Sequence, residues 1–176
     1  MVSAEKAKAL LARHGKVRAQ PPTDWKGLFS LPPTVEVFYQ DVGPANITIN
    51  ANGNAYFLPR LTDLWKFQRG YRYNALTGKP IEDWISDWLV IADQGGDPFI
   101  LDLASGNVLY ACHDDEEWRT LTLFSDLNTM AACLAQIGVI LREGDSAIRE
   151  FGLAHLQELV GGESDAATVL NALGLV

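Results

Sequence analysis

The chain has 176 residues, with 22 acidic and 14 basic side chains, a net charge of −8, three His, two Cys and 48% apolar residues. That apolar share, with five Trp, supports one sizeable core and excludes wholesale disorder. Two Cys cannot build a disulfide framework or a Cys-rich zinc site, and the acidic balance excludes nucleic acid as the main partner, because phosphate binding needs a basic footprint.

In chain order, Ser3 reads as an N-cap for a short helix over 3–14 stopped by Gly15. The Lys6, Lys8 and Arg13 side chains spread through this stretch do not form a targeting signal. Pro21-Pro22 marks a linker. Leu31-Pro32-Pro33-Thr34 opens a second helix ended by Gly43-Pro44. Residues 46–50 and 55–58 flank Asn52-Gly53-Asn54 and predict a small hairpin. Leu61, Leu64, Trp65 and Gln68 predict a helix over 61–69, and 71–80 reads as a polar, aromatic-bearing loop.

The centre is the most legible part. Trp88 to Ala92 is a continuous apolar run, as in a strand covered on both faces. Gln94-Gly95-Gly96-Asp97-Pro98 turns into a second strand, 104–107 turns again, and 108–112 and 118–123 follow, giving a four-stranded antiparallel meander. A helix starts at Ser125, its predicted cap, with Leu127, Met130, Ala131, Leu134, Ile137 and Leu141 on one stripe. Asp145 caps another helix through Phe151 and Leu159, and Ser164 or Asp165 starts a last one. Segregated helices and strands of this kind predict an α+β fold: a β-meander packed against helices, in a single domain whose core spans about 28–142 with a helical extension over 145–176. Nowhere do 18 apolar residues run together, so a spanning helix is not expected and the chain reads as cytoplasmic.

Charge is unevenly placed: 82–126 carries eleven acids against Arg119 alone. Such a field favours a basic partner.

The run Trp88-Leu89-Val90-Ile91-Ala92-Asp93-Gln94-Gly95-Gly96-Asp97-Pro98-Phe99-Ile100-Leu101-Asp102, followed by Gly106-Asn107-Val108, resembles the SUKH superfamily, and within it the bacterial Smi/Knr-type domain named after a yeast cell-wall assembly regulator. The Leu31-Pro32 helix, the Leu61/Leu64 helix and His113 ahead of Glu117-Trp118 agree with it. The resemblance covers about 28–142 and implies a non-enzymatic binding domain. Many bacterial members are immunity proteins that neutralise toxins; others are regulatory modules. This chain departs in carrying Asp114, Asp115, Glu116 and Glu117 where members often have Gly.

The expected partner-binding set is Trp84, Asp97, Asp102, His113, Asp114, Asp115, Glu116, Glu117 and Trp118, an acidic, aromatic-studded face for a basic protein. The bland readings stand beside it. The 113–117 run also suits a solvated turn, Trp84 with Tyr71 and Tyr73 also suits closure of the sheet end, and Trp88 and Trp118 suit the core. Asp102 either faces water or holds a backbone donor. Cys112 and Cys133 read as small core residues and His14 as the frayed end of a helix. No cofactor and no catalytic residue is expected. The alternatives are a metal-dependent hydrolase using His113 and nearby acids, and a scaffolding module.

Overall fold

The structure is a computed structural model that describes residues 1–51, 53–113, 118–143 and 153–175. In chain order the elements are α1 (Ala4–Leu11), a 3₁₀ turn (Pro22–Asp24), α2 (Pro33–Asp41), β1 (Ile47–Ile49), β2 (Tyr56–Leu58), α3 (Leu61–Leu64), a second 3₁₀ turn (Lys66–Gln68), β3 (Trp88–Gln94), β4 (Asp97–Asp102), β5 (Val108–Ala111), β6 (Thr120–Phe124), α4 (Leu127–Glu143), α5 (Leu153–Val160) and α6 (Glu163–Ala172). The fold is α+β. Among the described residues, no helix is long and apolar enough to cross a membrane.

The sheet is antiparallel in the order β1-β2-β3-β4-β5-β6. The predicted meander is present, and the early hairpin joins it: Tyr56 pairs with Gln94 and Phe57 with Asp93. That junction needs residues 36 and 38 positions apart in sequence to meet, which local alternation does not encode.

Helix caps follow side-chain chemistry. Ser3 Oγ accepts from Lys6 N at 3.2 Å, as expected. At α4 the cap is Asp126 rather than Ser125: its Oδ1 accepts from Thr129 N at 2.8 Å and its Oδ2 from Thr129 Oγ1 at 2.9 Å. The carboxylate is the stronger acceptor and also suits the positive end of a 17-residue helix. The 61–69 helix is shorter than predicted, breaking after Leu64 into the 3₁₀ turn.

The inner face of the sheet (Leu89, Ile91, Phe99, Leu101, Val108) packs into one core with α1, α2 and α4. Leu156 and Leu159 of α5 and Ala166, Val169 and Leu170 of α6 belong to the same core. The helices after 145 are thus built into the fold; the start of the helix predicted from Asp145 lies outside the described residues. Helix α4 buries more than its predicted stripe, with Ala132, Cys133 and Ala135 fully covered as well, because α1 and α5 pack against it in addition to the sheet. Gly138 lets α4 approach β1: a Cβ there would lie 2.3 Å from Ile49 Cγ2. His14 is not frayed. Its Nε2 lies 2.7 Å from the Ala135 carbonyl oxygen, and burial holds its pKa below the ordinary histidine value.

The outer face (Trp88, Val90, Ile100, Leu109, Ala111) carries a second apolar layer of Tyr71, Trp84 and the half-buried Phe67, Ile81 and Trp118. A register shift between Val90 and Ala92 places Ile91 and Ala92 together in the inner core. The bulge therefore turns Asp93 onto the outer face, where strict alternation would have sent it inward.

Candidate functional site

The β3–β4 turn is built on Gly95 (φ +64°) and Gly96 (φ +111°), backbone conformations that side chains disfavour. A Cβ on Gly95 would lie 2.2 Å from the Asn54 side-chain nitrogen, and one on Gly96 would lie 3.3 Å from His113 Nδ1. The turn is therefore close-packed on both sides, against the β1–β2 connection and against the end of β5.

Asp97 leaves this turn on the inner-face side. Its Oδ1 accepts from the His113 backbone N at 2.8 Å and lies 2.6 Å from His113 Nδ1, while its Oδ2 accepts from Tyr110 Oη at 3.3 Å. The Asp97 side chain is 22% exposed and that of His113 45%. Burial raises the Asp97 pKa, but the His113 amide and ring, the imidazole charge and Tyr110 together outweigh it and leave the carboxyl below its ordinary value. Asp93, on the opposite face, is pushed up by burial; a hydrogen bond from Tyr71 (3.3 Å) and the Gly96 amide oppose this, and the Asp97 charge adds to it. Burial and these carboxylates keep both phenols, Tyr71 and Tyr110, protonated.

The result is a carboxylate-oriented imidazole, half open to solvent, beside a second carboxyl of opposite pKa tendency. Such a pair can relay a proton or present fixed charge to a docking molecule. Among the described residues, no three His, Cys, Asp or Glu side chains are grouped to hold a metal ion.

The sequence-predicted residues separate into distinct places. Asp97 and His113 meet. Asp102 sits at the other end of β4, about 17 Å away at the strand rise. There its Oδ1 accepts from Ala104 N (3.1 Å) and its Oδ2 from Ser105 Oγ (2.6 Å), so it holds the β4–β5 turn. Trp84 is buried at 8% exposure, its ring 5.4 Å from Trp118 and 5.6 Å from Trp88. Trp118, half-buried, also packs on Tyr71 at 6.1 Å. Both tryptophans thus seal the outer face. Asp114, Asp115, Glu116 and Glu117 lie outside the described residues. Cys112 departs from expectation: β5 ends at Ala111, and Cys112 is exposed rather than in the core, whereas Cys133 is buried.

Tyr110 escapes the sequence reading, passing for an ordinary strand aromatic. Tyr71 reads there as closing the sheet end and Asp93 as one of several acid pairs, and the two meet only through the bulge. The visible signal was Asp93 and Asp97 flanking two glycines.

No family model matches the chain, and neither a curated protein nor a solved structure matches it.

The ion pair gives a pH prediction. The folded pKa of Asp97 lies below its ordinary 3.8. Its stabilisation is therefore complete above that value and is lost as pH falls through the folded pKa. Asp97→Asn is expected to cost about 1 kcal/mol at neutral pH, given its partial exposure. That deficit should shrink below pH 3.8. Urea denaturation of both chains at neutral and strongly acidic pH checks this. An undiminished deficit in acid would show that the carboxylate charge is not what holds the site.

Proposed function

We propose that this chain is a non-enzymatic protein-binding domain, an immunity-type protein of the Smi/Knr-like kind, which neutralises a basic partner protein in the cytoplasm by occluding it with acidic side chains at the β3–β4 end of the sheet. The observation that carries the reading is the fixed Asp97–His113 pair at 2.6 Å, from which the 114–117 run of four acids departs. The Asp97 carboxylate, held by His113 and Tyr110, loses little freedom on binding. The excess of eleven acids over one base in 82–126 would speed encounter with a cationic surface. The free thiols of Cys112 and Cys133 accord with a reducing compartment.

The test is capture of partners on the immobilised chain, in parallel with a variant carrying D114S, D115S, E116S and E117S, followed by association kinetics on the partner obtained. A basic protein is expected, with an association rate about tenfold lower for the variant at low salt and a flatter salt dependence. A partner that binds both chains at equal rates across salt, or consumption of a substrate by the purified chain, would overturn the reading.

A further inference from the structure

A second site stands apart from the sheet end. A recess of about 360 Å³ opens between the 28–29 segment, the end of α3 and the 72–86 loop, walled by Phe29, Trp65, Tyr73, Ile81 and Trp84, with Arg72 among them. The rings brace one another: Phe29 and Trp65 meet edge-on at 5.5 Å, and Trp65 and Tyr73 lie 5.1 Å apart. Arg72 is held as firmly. Its guanidinium carbon lies 5.2 Å from the Phe29 ring centre, and Nη1 donates to the Trp88 carbonyl at 3.0 Å.

Arg72 is half-buried, and among the described residues no carboxylate pairs with it. Among the described residues the ion pairs are Arg60–Asp63 and His113–Asp97; Glu82 and Asp83, exposed on the adjoining turn, do not pair with Arg72. A cation set into an aromatic wall without an anion is an incomplete arrangement, and a planar fork of donors matches a carboxylate in two-point geometry. The volume falls at the lower end of the range for small-ligand pockets.

From this juxtaposition we infer that the recess binds an aromatic carboxylate, its ring against Trp65 and Trp84 and its carboxylate on Arg72. The ligand is a free aromatic acid or a peptide ending in an aromatic residue; both carry the same chemistry. The recess does not include Asp97 or His113, so this inference and the partner-binding reading stand or fall separately.

The test uses the full ¹⁵N-labelled chain and follows the indole N–H signals of Trp65 and Trp84 during titration with phenylacetate and with its neutral isostere phenylacetamide. Phenylacetate is expected to shift both signals and to bind roughly tenfold or more tighter than the amide, as a charge-assisted hydrogen bond implies. Arg72→Gln should abolish that preference, and Arg72→Lys should retain part of it. Equal binding of acid and amide, or no shift at these two indoles in the millimolar range, would overturn the inference. Should Arg72→Gln fail to fold, the acid–amide comparison on the unaltered chain still decides. A third titration, with acetyl-Gly-Gly-Phe bearing a free C-terminus, separates the sources: tighter binding than phenylacetate supports a peptide end, weaker binding a free acid.

Discussion

Replacing Gln68 by Met is expected to cost about 3–4 kcal/mol, although the two side chains have nearly the same shape. Gln68 is fully buried. Its Nε2 donates to the carbonyls of Val90 (2.8 Å) and Leu64 (2.9 Å), and its Oε1 accepts from Val90 N at 3.0 Å. Strand β2 pairs with β3 only at Asp93 and Gln94, so at Val90 the side-chain amide does what a neighbouring strand's peptide would do. Methionine fills the space but abandons the Val90 N–H and the carbonyls of Val90 and Leu64, at upwards of about 1 kcal/mol each. For a chain of this size that corresponds to a fall in Tm of about 10 °C. Thermal and urea unfolding check it, and a loss under about 1 kcal/mol would mean that water or a backbone shift satisfies Val90 instead.

The second large effect lies at Phe99, fully buried at the middle of the inner face. Its ring centre is 5.0 Å from that of Tyr110, 6.1 Å from Tyr56 and 6.3 Å from Phe124. Phe99→Ala removes the ring that these three share and leaves a cavity, at about 3–5 kcal/mol. Phe99→Leu keeps most of the volume and should lose less than half as much. Tyr110 also loses its packing partner, and with it the support for its hydroxyl on Asp97. The Phe99→Leu variant, which should remain folded, is therefore expected to show a weakened pH response of the Asp97–His113 pair as well as a lower Tm. A tolerated alanine, with Tm moved by only a degree or two, would place the centre of the core elsewhere.

What the sequence made legible was whatever is set by near neighbours. Ser3, the Pro32-Pro33 entry to α2 and the Gly95-Gly96 turn each act within three or four residues, and each is found where the spacing placed it. The meander is likewise local, since tight turns leave adjacent strands no other partner. Long-range events were not legible. Gln20 bridges the Pro44 carbonyl and the Leu61 amide, both at 2.7 Å, across 24 and 41 positions, and nothing near Gln20 announces it. Cys112 was misplaced because the strand stopped one residue earlier than its apolar pattern suggested, and His14 because the later helix that covers it is more than a hundred positions away. Of the candidate site, the acids and His113 were visible as residue types. Which of them meet depended on the bulge and on the length of β4, which sends Asp97 and Asp102 to opposite ends.

The irregularity at Ile91 also limits how the chain can change length. Losing Ile91, the residue without a partner on β4, would restore simple alternation with Asp93 still on the Tyr71 side, but would remove a buried side chain from the inner core. Gaining one would displace Val90 from the amide of Gln68. Changes of length are therefore costly both along this strand and at the close-packed glycine turn that follows it, and relatives of this chain should be recognisable by an unvarying count of residues from Trp88 to the glycine pair.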